Sequence, residues 1–363
     1  MRTATIALLA ALALAGAAQA ADKKAKAVVI PDPYSRLAPE EGAFVPLDQI
    51  PNHRQLMRDI VDELSAYAKK RDGRFIVLVR NGWDLVAKGR REAVWEDLRF
   101  PAQAEARPPE GAPNRAFLRG IDGFVANGVF CDRANPAEKT ADEPRAAMLA
   151  AAELVRQAGR RMLDIEVCAK PLIDEAAREA GKAGLLAHSR QDAAFDAVPN
   201  WPPPGENAAH IESLGAARNF LPLLDPRRYA TRAEYVIALE DGNHDLLIVD
   251  PFHRGADNLT ADEIYRLKFK RLGARRLVLA VLSVGKARDD RFYWGRGWDM
   301  GNPSFLAAAD PAEPGAMVVR YWEPGWKEIL GRSLKGIVDL GFDGVLLDDL
   351  EVSRYFEALT PLE

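Results

Sequence analysis

Short apolar runs alternate with helical patterns along most of the chain. The runs are rich in β-branched and other apolar residues and are bounded by turn residues, as buried strands are. There are eight of them, at residues 75–79, 121–126, 162–167, 184–187, 220–224, 245–249, 276–284 and 344–347. Thr231-x-x-Glu234 and Thr260-x-x-Glu263 are capping boxes, which open helices on either side of the sixth run. This alternation predicts a parallel sheet that is covered by helices.

Glycines mark the ends of the predicted helices. Gly159, Gly181, Gly273 and Gly341 stand just before four of the apolar runs, where a helix stops in the left-handed conformation and the chain turns back. A doubly wound open sheet would produce the same pattern, but no GxGxxG motif follows the first run. The eight repeats therefore predict the α/β class and a single (β/α)8 TIM barrel over residues 53–363.

Three polar insertions interrupt the barrel pattern, at residues 100–114, 199–210 and about 285–315. Each follows the carboxyl end of a predicted strand. Because those loops build the active-site face of a barrel, we expect insertions at that face, where they form the walls of an extended groove.

The first residues of the chain have the pattern of an export signal. Arg2 precedes an apolar run at residues 6–15, and Ala18-Gln19-Ala20 offers a cleavage site of small residues. We expect a signal peptide at residues 1–20, a charged and Pro-rich extension at residues 21–52, and a periplasmic or secreted protein. No later run reaches the roughly 18 apolar residues of a membrane span, so we expect no membrane insertion after cleavage.

Charge and composition limit the classes of partner and cofactor that we expect. The chain has 49 Lys and Arg against 53 Asp and Glu, without a basic cluster interleaved with aromatics, so a nucleic-acid partner is not expected. Its five histidines form no metal-binding pattern, and we expect no metal and no organic cofactor. Cys131 and Cys168 are the two cysteines, and a disulfide or a pair of buried free thiols fits them equally well.

Carboxylates dominate the predicted carboxyl ends of the strands, which meet at the mouth of a barrel. Glu166, Asp250, Asp348 and Asp349 hold such places, together with Asn81. Hydrolysis of a glycosidic bond needs two carboxyl groups, one that protonates the leaving oxygen and one that attacks the anomeric carbon or activates water. The same residues could bind metal or cap helices, so they are candidates for catalysis or substrate binding.

The segment after the seventh run is unsuited to a core. Residues 283–294 hold two acids, three cations and three aromatics directly after a buried strand. Aromatic faces over sugar CH groups, with charged side chains on the hydroxyls, would explain that mixture. Arg291, Tyr293 and Trp294 are therefore candidates for substrate binding.

Five ordered motifs carry a resemblance to a known family. They are Phe220-Leu-Pro-Leu-Leu-Asp-Pro226, Asp245-Leu-Leu-Ile-Val-Asp250, Ser283-Val-Gly-x-Ala-x-Asp289-x-Arg-Phe-Tyr-Trp294, Tyr321-Trp-Glu-Pro-Gly-Trp326 and Gly341-Phe-Asp-Gly-Val-Leu-Leu-Asp348. Together they resemble the glycoside hydrolase family 114-like group, of the endo-α-1,4-polygalactosaminidase type. The resemblance implies a (β/α)8 fold and internal cleavage of an α-1,4-linked galactosamine-containing polysaccharide. It also implies an acidic pair at Asp289 and Asp348.

The chain departs from the pattern of that group at three positions. Lys286 and Arg288 stand where the group usually has glutamates. Leu346 stands where the best-characterised branch of the group has a further glutamate. Cations in the cleft would repel a polycationic chain, which favours a neutral, N-acetylated or acidic glycan. They also keep a second hypothesis open, a catalytically inactive glycan-binding envelope protein with the same barrel.

A third hypothesis places a metal at the mouth of the barrel. Glu166, Asp250 and His253 would then be the ligands of a metal-dependent hydrolase.

Overall fold

The computed structural model describes residues 46–362, without the side chains of residues 104–106. The predicted signal peptide and residues 21–45 of the predicted extension lie outside these residues. Within the described part, no helix is both long and apolar enough to cross a membrane.

Eight parallel strands form the central sheet. They are β1 (Ile76–Arg80), β2 (Gly123–Asn127), β3 (Arg161–Val167), β4 (Leu186–Arg190), β5 (Phe220–Leu223), β6 (Leu246–Val249), β7 (Leu277–Ser283) and β8 (Gly344–Asp348). Their order is β4-β3-β2-β1-β8-β7-β6-β5, with every pairing parallel. Between the two outermost strands, ring Nδ1 of His188 on β4 lies 2.9 Å from the carbonyl oxygen of Phe220 on β5. The sheet thus curves into a nearly closed barrel, and the predicted (β/α)8 fold is confirmed.

Helices surround the sheet. They are α1 (His53–Arg71), α2 (Trp83–Val86), α3 (Arg90–Arg99), α4 (Arg115–Gly120), α5 (Asp142–Gln157), α6 (Ile173–Lys182), α7 (Arg232–Glu240), α8 (Ala261–Leu267), α9 (Pro324–Asp339) and α10 (Val352–Leu359). The predicted box at Thr260 is complete, because its hydroxyl accepts from Glu263 N and its own N–H donates to the Glu263 carboxylate. Thr231 likewise accepts from Glu234 N, but the Glu234 carboxylate accepts from Ala230 N instead.

The alternation of side chains along each strand separates two apolar layers. Leu78 of β1 and Leu346 of β8 belong to the cluster inside the barrel, whereas Val345 packs outward beneath the helices. Because the side-chain period of a strand is two, Arg80 and Asp348 also face the interior, one layer nearer the carboxyl ends. The strands therefore place charged side chains at the mouth of an otherwise apolar barrel.

No helix of α type joins β4 to β5 in the described structure. The connection instead reaches the amino end of the barrel, where Ile211, Leu214 and Ala217 pack into the interior cluster. Ile211 N donates to the carbonyl of Arg275, just before β7. The expectation that residues 199–210 form a groove wall is thus corrected. They lead into an apolar plug, which buries the amino end of the barrel interior.

An ion pair fixes this plug. The side chains of Lys270 and Asp245 are both fully buried, with 2.5 Å between Nζ and Oδ1. Nζ also donates to the carbonyls of Asn207 and Ala209, and Asp245 accepts from Arg218 N. The network ties the plug segment to the start of β6.

The insertion after β7 forms a small sheet at the mouth. Its three antiparallel strands are Lys286–Arg288, Leu306–Ala309 and Ala316–Val319. Tyr293 and Phe305 both pack against Trp326 of α9, with ring centroids 5.6 and 5.5 Å apart. This aromatic packing gives the insertion its own core and holds it on the barrel.

Cys131 and Cys168 form a disulfide, with 5.6 Å between their Cα atoms. Of the two alternatives left open by the sequence, the structure has the disulfide. It joins the loop after β2 to the end of β3.

Candidate functional site

A cleft of about 1030 Å³ opens at the carboxyl ends of the strands and continues along α9. Interior-facing residues at the ends of four strands contribute to its floor: Arg80, Asp250, Ser283 and Asp348. The small sheet after β7 adds one wall through Lys286, Arg288 and Glu313. The cleft is therefore polar at its floor, where a (β/α)8 barrel holds its ligand.

Two carboxylates in the cleft are each held by an arginine in a bidentate pair. Arg80 donates Nε to Asp348 Oδ1 at 2.7 Å and Nη2 to the other oxygen. Arg291 donates to both oxygens of Asp250, at 2.9 and 2.7 Å. Both aspartates are almost fully buried, at 6% and 5% exposure, so a cation is required to offset the desolvation of each charge.

Asp348 and Asp349 have pKa values that shift in opposite directions. Burial, with the nearby Asp349 charge, raises the pKa of Asp348 although Arg80 opposes it. Burial acts the same way on Asp349, but Lys286 and the hydroxyl of Ser283 outweigh it and lower the pKa of that carboxyl. Asp349 also has a left-handed backbone, with φ of 61°. Divergent pKa values and such backbone conformations are both typical of functional sites.

The cations that replace the expected glutamates have acidic partners. Lys286 Nζ lies 3.0 Å from Asp310 and 3.2 Å from Asp349. Arg288 pairs with Asp290, at 3.2 Å, and with Glu313. The change from acid to base after β7 is therefore balanced by acids from the same insertion and by Asp349 at the end of β8.

Asp289 does not join Asp348 in the cleft. Its side chain is exposed, its N–H donates to the carbonyl of Gly315, and it is not among the residues lining the cleft. The reason is the period of two along the strand at Lys286–Arg288, which directs Lys286 and Arg288 to the cleft and Asp289 away from it. The structure thus separates the two predicted catalytic acids.

Tyr293 and Phe292 contribute aromatic surface to the cleft. The Tyr293 hydroxyl accepts from Arg288 N at 3.1 Å, and Trp294 packs on Trp298 at a centroid distance of 5.4 Å. Phe292 is 49% exposed and stacks on Phe252, with the rings 5.5 Å apart. This pair was not predicted from the sequence, although Phe292 stands directly between the two predicted residues Arg291 and Tyr293.

Glu166 faces away from the barrel interior. Its carboxylate accepts from the N–H groups of Phe130, at 2.8 Å, and Cys131, at 3.0 Å, so it holds the loop after β2. His253 Nε2 lies 2.8 Å from the carbonyl of Tyr229. These two residues and Asp250 each have other partners, and the structure does not bring them together as metal ligands.

One group of residues in the described part has a spacing that suits a metal, formed by Cys131, Glu166 and Cys168. The disulfide occupies both sulfur atoms, so this group is not a set of free ligands.

A second, smaller pocket lies beside the cleft. It has room for about one water molecule, near 20 Å³, and its lining includes Asn81, Asn127, Arg133 and Glu351. Arg133 also lines the cleft, so the two cavities are neighbours. Asn81 Nδ2 donates to Glu351 Oε1 at 3.4 Å. Asn81 was predicted to bind substrate, whereas Glu351 was not identified from the sequence.

Fold and site together define a (β/α)8 barrel protein with a charged cleft bordered by aromatic side chains.

No family model matches the chain. An uncharacterized protein of Methanocaldococcus jannaschii is 30% identical over 152 residues, which are 41% of this chain and 42% of the relative. One of Deinococcus radiodurans is 35% identical over 31% of this chain and 34% of its own length. An uncharacterized protein of Thermotoga maritima is 40% identical over 22% of this chain and 24% of its own length. The matches thus span less than half of each relative.

Proposed function

We propose that this chain is an exported glycoside hydrolase that cleaves a polysaccharide internally. The observation that carries the proposal is the cleft itself, where carboxylates held by guanidinium groups lie beside the exposed Phe292 ring and the half-buried Phe252 ring. Fixed charged groups can bind sugar hydroxyls, and an aromatic face suits the apolar CH surface of a pyranose ring.

Asp348 is the reacting carboxylate in this proposal. It ends β8, lies at the floor of the cleft and is oriented by the bidentate contact with Arg80. A carboxylate in that position either attacks the anomeric carbon or activates water. Asp250, Arg291, Tyr293 and Asp349 then orient the substrate, and Asp289 has no role in the reaction.

The substrate is a polymer of α-1,4-linked galactosamine or N-acetylgalactosamine, as the resemblance implies. In the cleft, Lys286, Arg288 and Arg291 are paired with acids, so the lining carries little uncompensated charge. Such a lining favours the N-acetylated form over a polycationic chain.

A specific observation also favours a second candidate, a glycan-binding protein without catalysis. Asp250 and Asp348 are both paired with arginine, and the other predicted acid, Asp289, lies outside the cleft. A barrel with these pairs could bind sugars while neither Asp250 nor Asp348 is free to donate a proton.

Release of reducing ends separates the two candidates. The purified protein is incubated with galactosamine, N-acetylgalactosamine and neutral or acidic galactan polymers. We expect release from one polymer class, its loss in Asp348→Asn, and unchanged release in the matched variant Asp289→Asn. Binding of a polymer without release by the unmodified protein would favour the glycan-binding candidate.

A further inference from the structure

The proposed hydrolase needs a carboxyl group that can donate a proton, and the paired acids of the cleft do not meet that need. Arg291 and Arg80 donate to both oxygens of Asp250 and of Asp348, so neither carboxyl group has an oxygen free to hold and deliver a proton. General acid catalysis requires instead a carboxyl group whose protonated form persists near the working pH.

Glu351 differs from those acids in its contacts. It lies three residues after Asp348, in the turn between β8 and α10, and is an ion-pair partner of no residue that the structure describes. Its Oε1 accepts a long hydrogen bond from Asn81, while its buried Oε2 has no hydrogen-bond partner. A buried polar atom without a partner is rare in folded proteins, so this oxygen is available to hydrogen-bond a ligand.

The electrostatic surroundings of Glu351 favour the protonated form. Burial is the largest influence, and the charges of Asp349 and Asp348 add to it, which raises the pKa of Glu351 to about 7. Arg80 acts in the opposite direction but is already bonded to Asp348. Glu351 follows Asp348 by three residues, in the turn at the end of β8, which places it at the same mouth of the barrel as the proposed reacting carboxylate.

The pocket around Glu351 connects this carboxyl group to the substrate site. Asn81 and Asn127, from the ends of β1 and β2, line the pocket with it, and Arg133 lines both this pocket and the cleft. Asn127 Oδ1 is a second buried atom without a partner. A glycosidic oxygen at the opening of this small pocket would supply an acceptor for a proton on Oε2, and a neighbouring hydroxyl could donate to Asn127.

We propose that Glu351 is the general acid of the hydrolase, and this inference rests on the proposed function. The Oε2–H group gives its proton to the glycosidic oxygen as the C1–O bond breaks, and the bonding electron pair leaves with that oxygen. This transfer leaves Glu351 as the carboxylate. On the other side of C1, Asp348 either forms the new bond to C1 or takes the proton of the water molecule whose oxygen forms it. The proton is restored from water in the next half of the cycle or from solvent.

Leaving-group dependence tests this assignment. Glu351→Gln cannot donate a proton, so we expect a loss of roughly 10²- to 10⁴-fold in reducing-end release from the polysaccharide. A fluoride or 2,4-dinitrophenyl glycoside of the same sugar needs no protonation to leave, and its hydrolysis should change by less than about tenfold. On the polysaccharide, the unmodified protein should lose activity as the pH rises through about 7. Hydrolysis of the activated glycoside by Glu351→Gln should not decrease over the same pH range, because this substrate needs no proton donor.

Controls separate a failure of this inference from a failure of the proposed function. Circular dichroism verifies that Glu351→Gln is folded, and Glu328→Gln, on the exposed face of α9, should behave as the unmodified protein. An equal loss on both substrates, or no loss on either, would overturn the role of Glu351 while the hydrolase stands. An unmodified protein that cleaves neither substrate would overturn both proposals.

Discussion

Replacing Lys270 by methionine removes the cation from the fully buried network at the amino end of the barrel. Methionine has a similar length, so the main change is the lost charge. Asp245 would keep contacts with Asn207 and the N–H of Arg218 but would have no cation against its carboxylate. Removing one partner from a buried ion pair costs about 3–5 kcal/mol, and we expect that loss in the free energy of unfolding.

Urea unfolding at pH 7, followed by circular dichroism under reversible conditions, measures this change. The matched control is Lys335→Met, which removes a cation from an exposed pair with Asp339 on α9 and should cost less than about 0.5 kcal/mol. Because Lys270 also bonds to the carbonyls of Asn207 and Ala209, limited proteolysis should become faster near residues 199–217 in the Lys270 variant. A loss below about 1 kcal/mol with unchanged proteolysis would refute the idea that this pair secures the plug.

Three further predictions concern the disulfide, a buried histidine and the aromatic pair. Replacing Cys131 and Cys168 by alanine should lower the free energy of unfolding by about 4 kcal/mol in urea, given a separation of 37 residues, and a reductant should then have no further effect. Burial lowers the pKa of His188 to about 3, so as the pH falls below 6.5 this imidazole is protonated in the unfolded chain but not in the folded protein. Stability should therefore decrease from pH 7.5 to pH 5, and less so in His188→Asn; equal slopes would contradict this. Phe292→Ala should weaken oligosaccharide binding roughly fivefold in calorimetry, while Phe100→Ala, outside the cleft, should not.

The barrel could be predicted from the sequence because its strands are buried on both faces. Such strands are nearly continuous apolar runs, and each of the eight runs contains or overlaps an observed strand. The connection from β4 to β5 could not be predicted in the same way. Ile211 and Leu214 lie in a polar stretch without strand or helix period, and their burial depends on the barrel end that they cover.

The site was predictable in part, since residues at strand ends must meet at the mouth. Asp250, Asp348 and Asp349 lie there, as expected. Asp289 does not lie there. The direction of its side chain depends on where the short strand at Lys286–Arg288 begins, and a shift of one residue would reverse that direction. Glu351 was missed because it lies beyond the end of β8, and its distinctive chemistry arises from burial and from neighbouring charges.

The proposal that the protein cleaves a polysaccharide internally by way of Asp348 can be tested by chain-length analysis of a digested polymer. Size-exclusion chromatography of an N-acetylgalactosamine or galactosamine polymer, sampled early in the digest, would follow the mean chain length. We predict a rapid fall in chain length before free monosaccharide accumulates, and no change with Asp348→Asn. A chain length that stays constant with the unmodified protein, or that falls equally with Asp348→Asn, would contradict the claim.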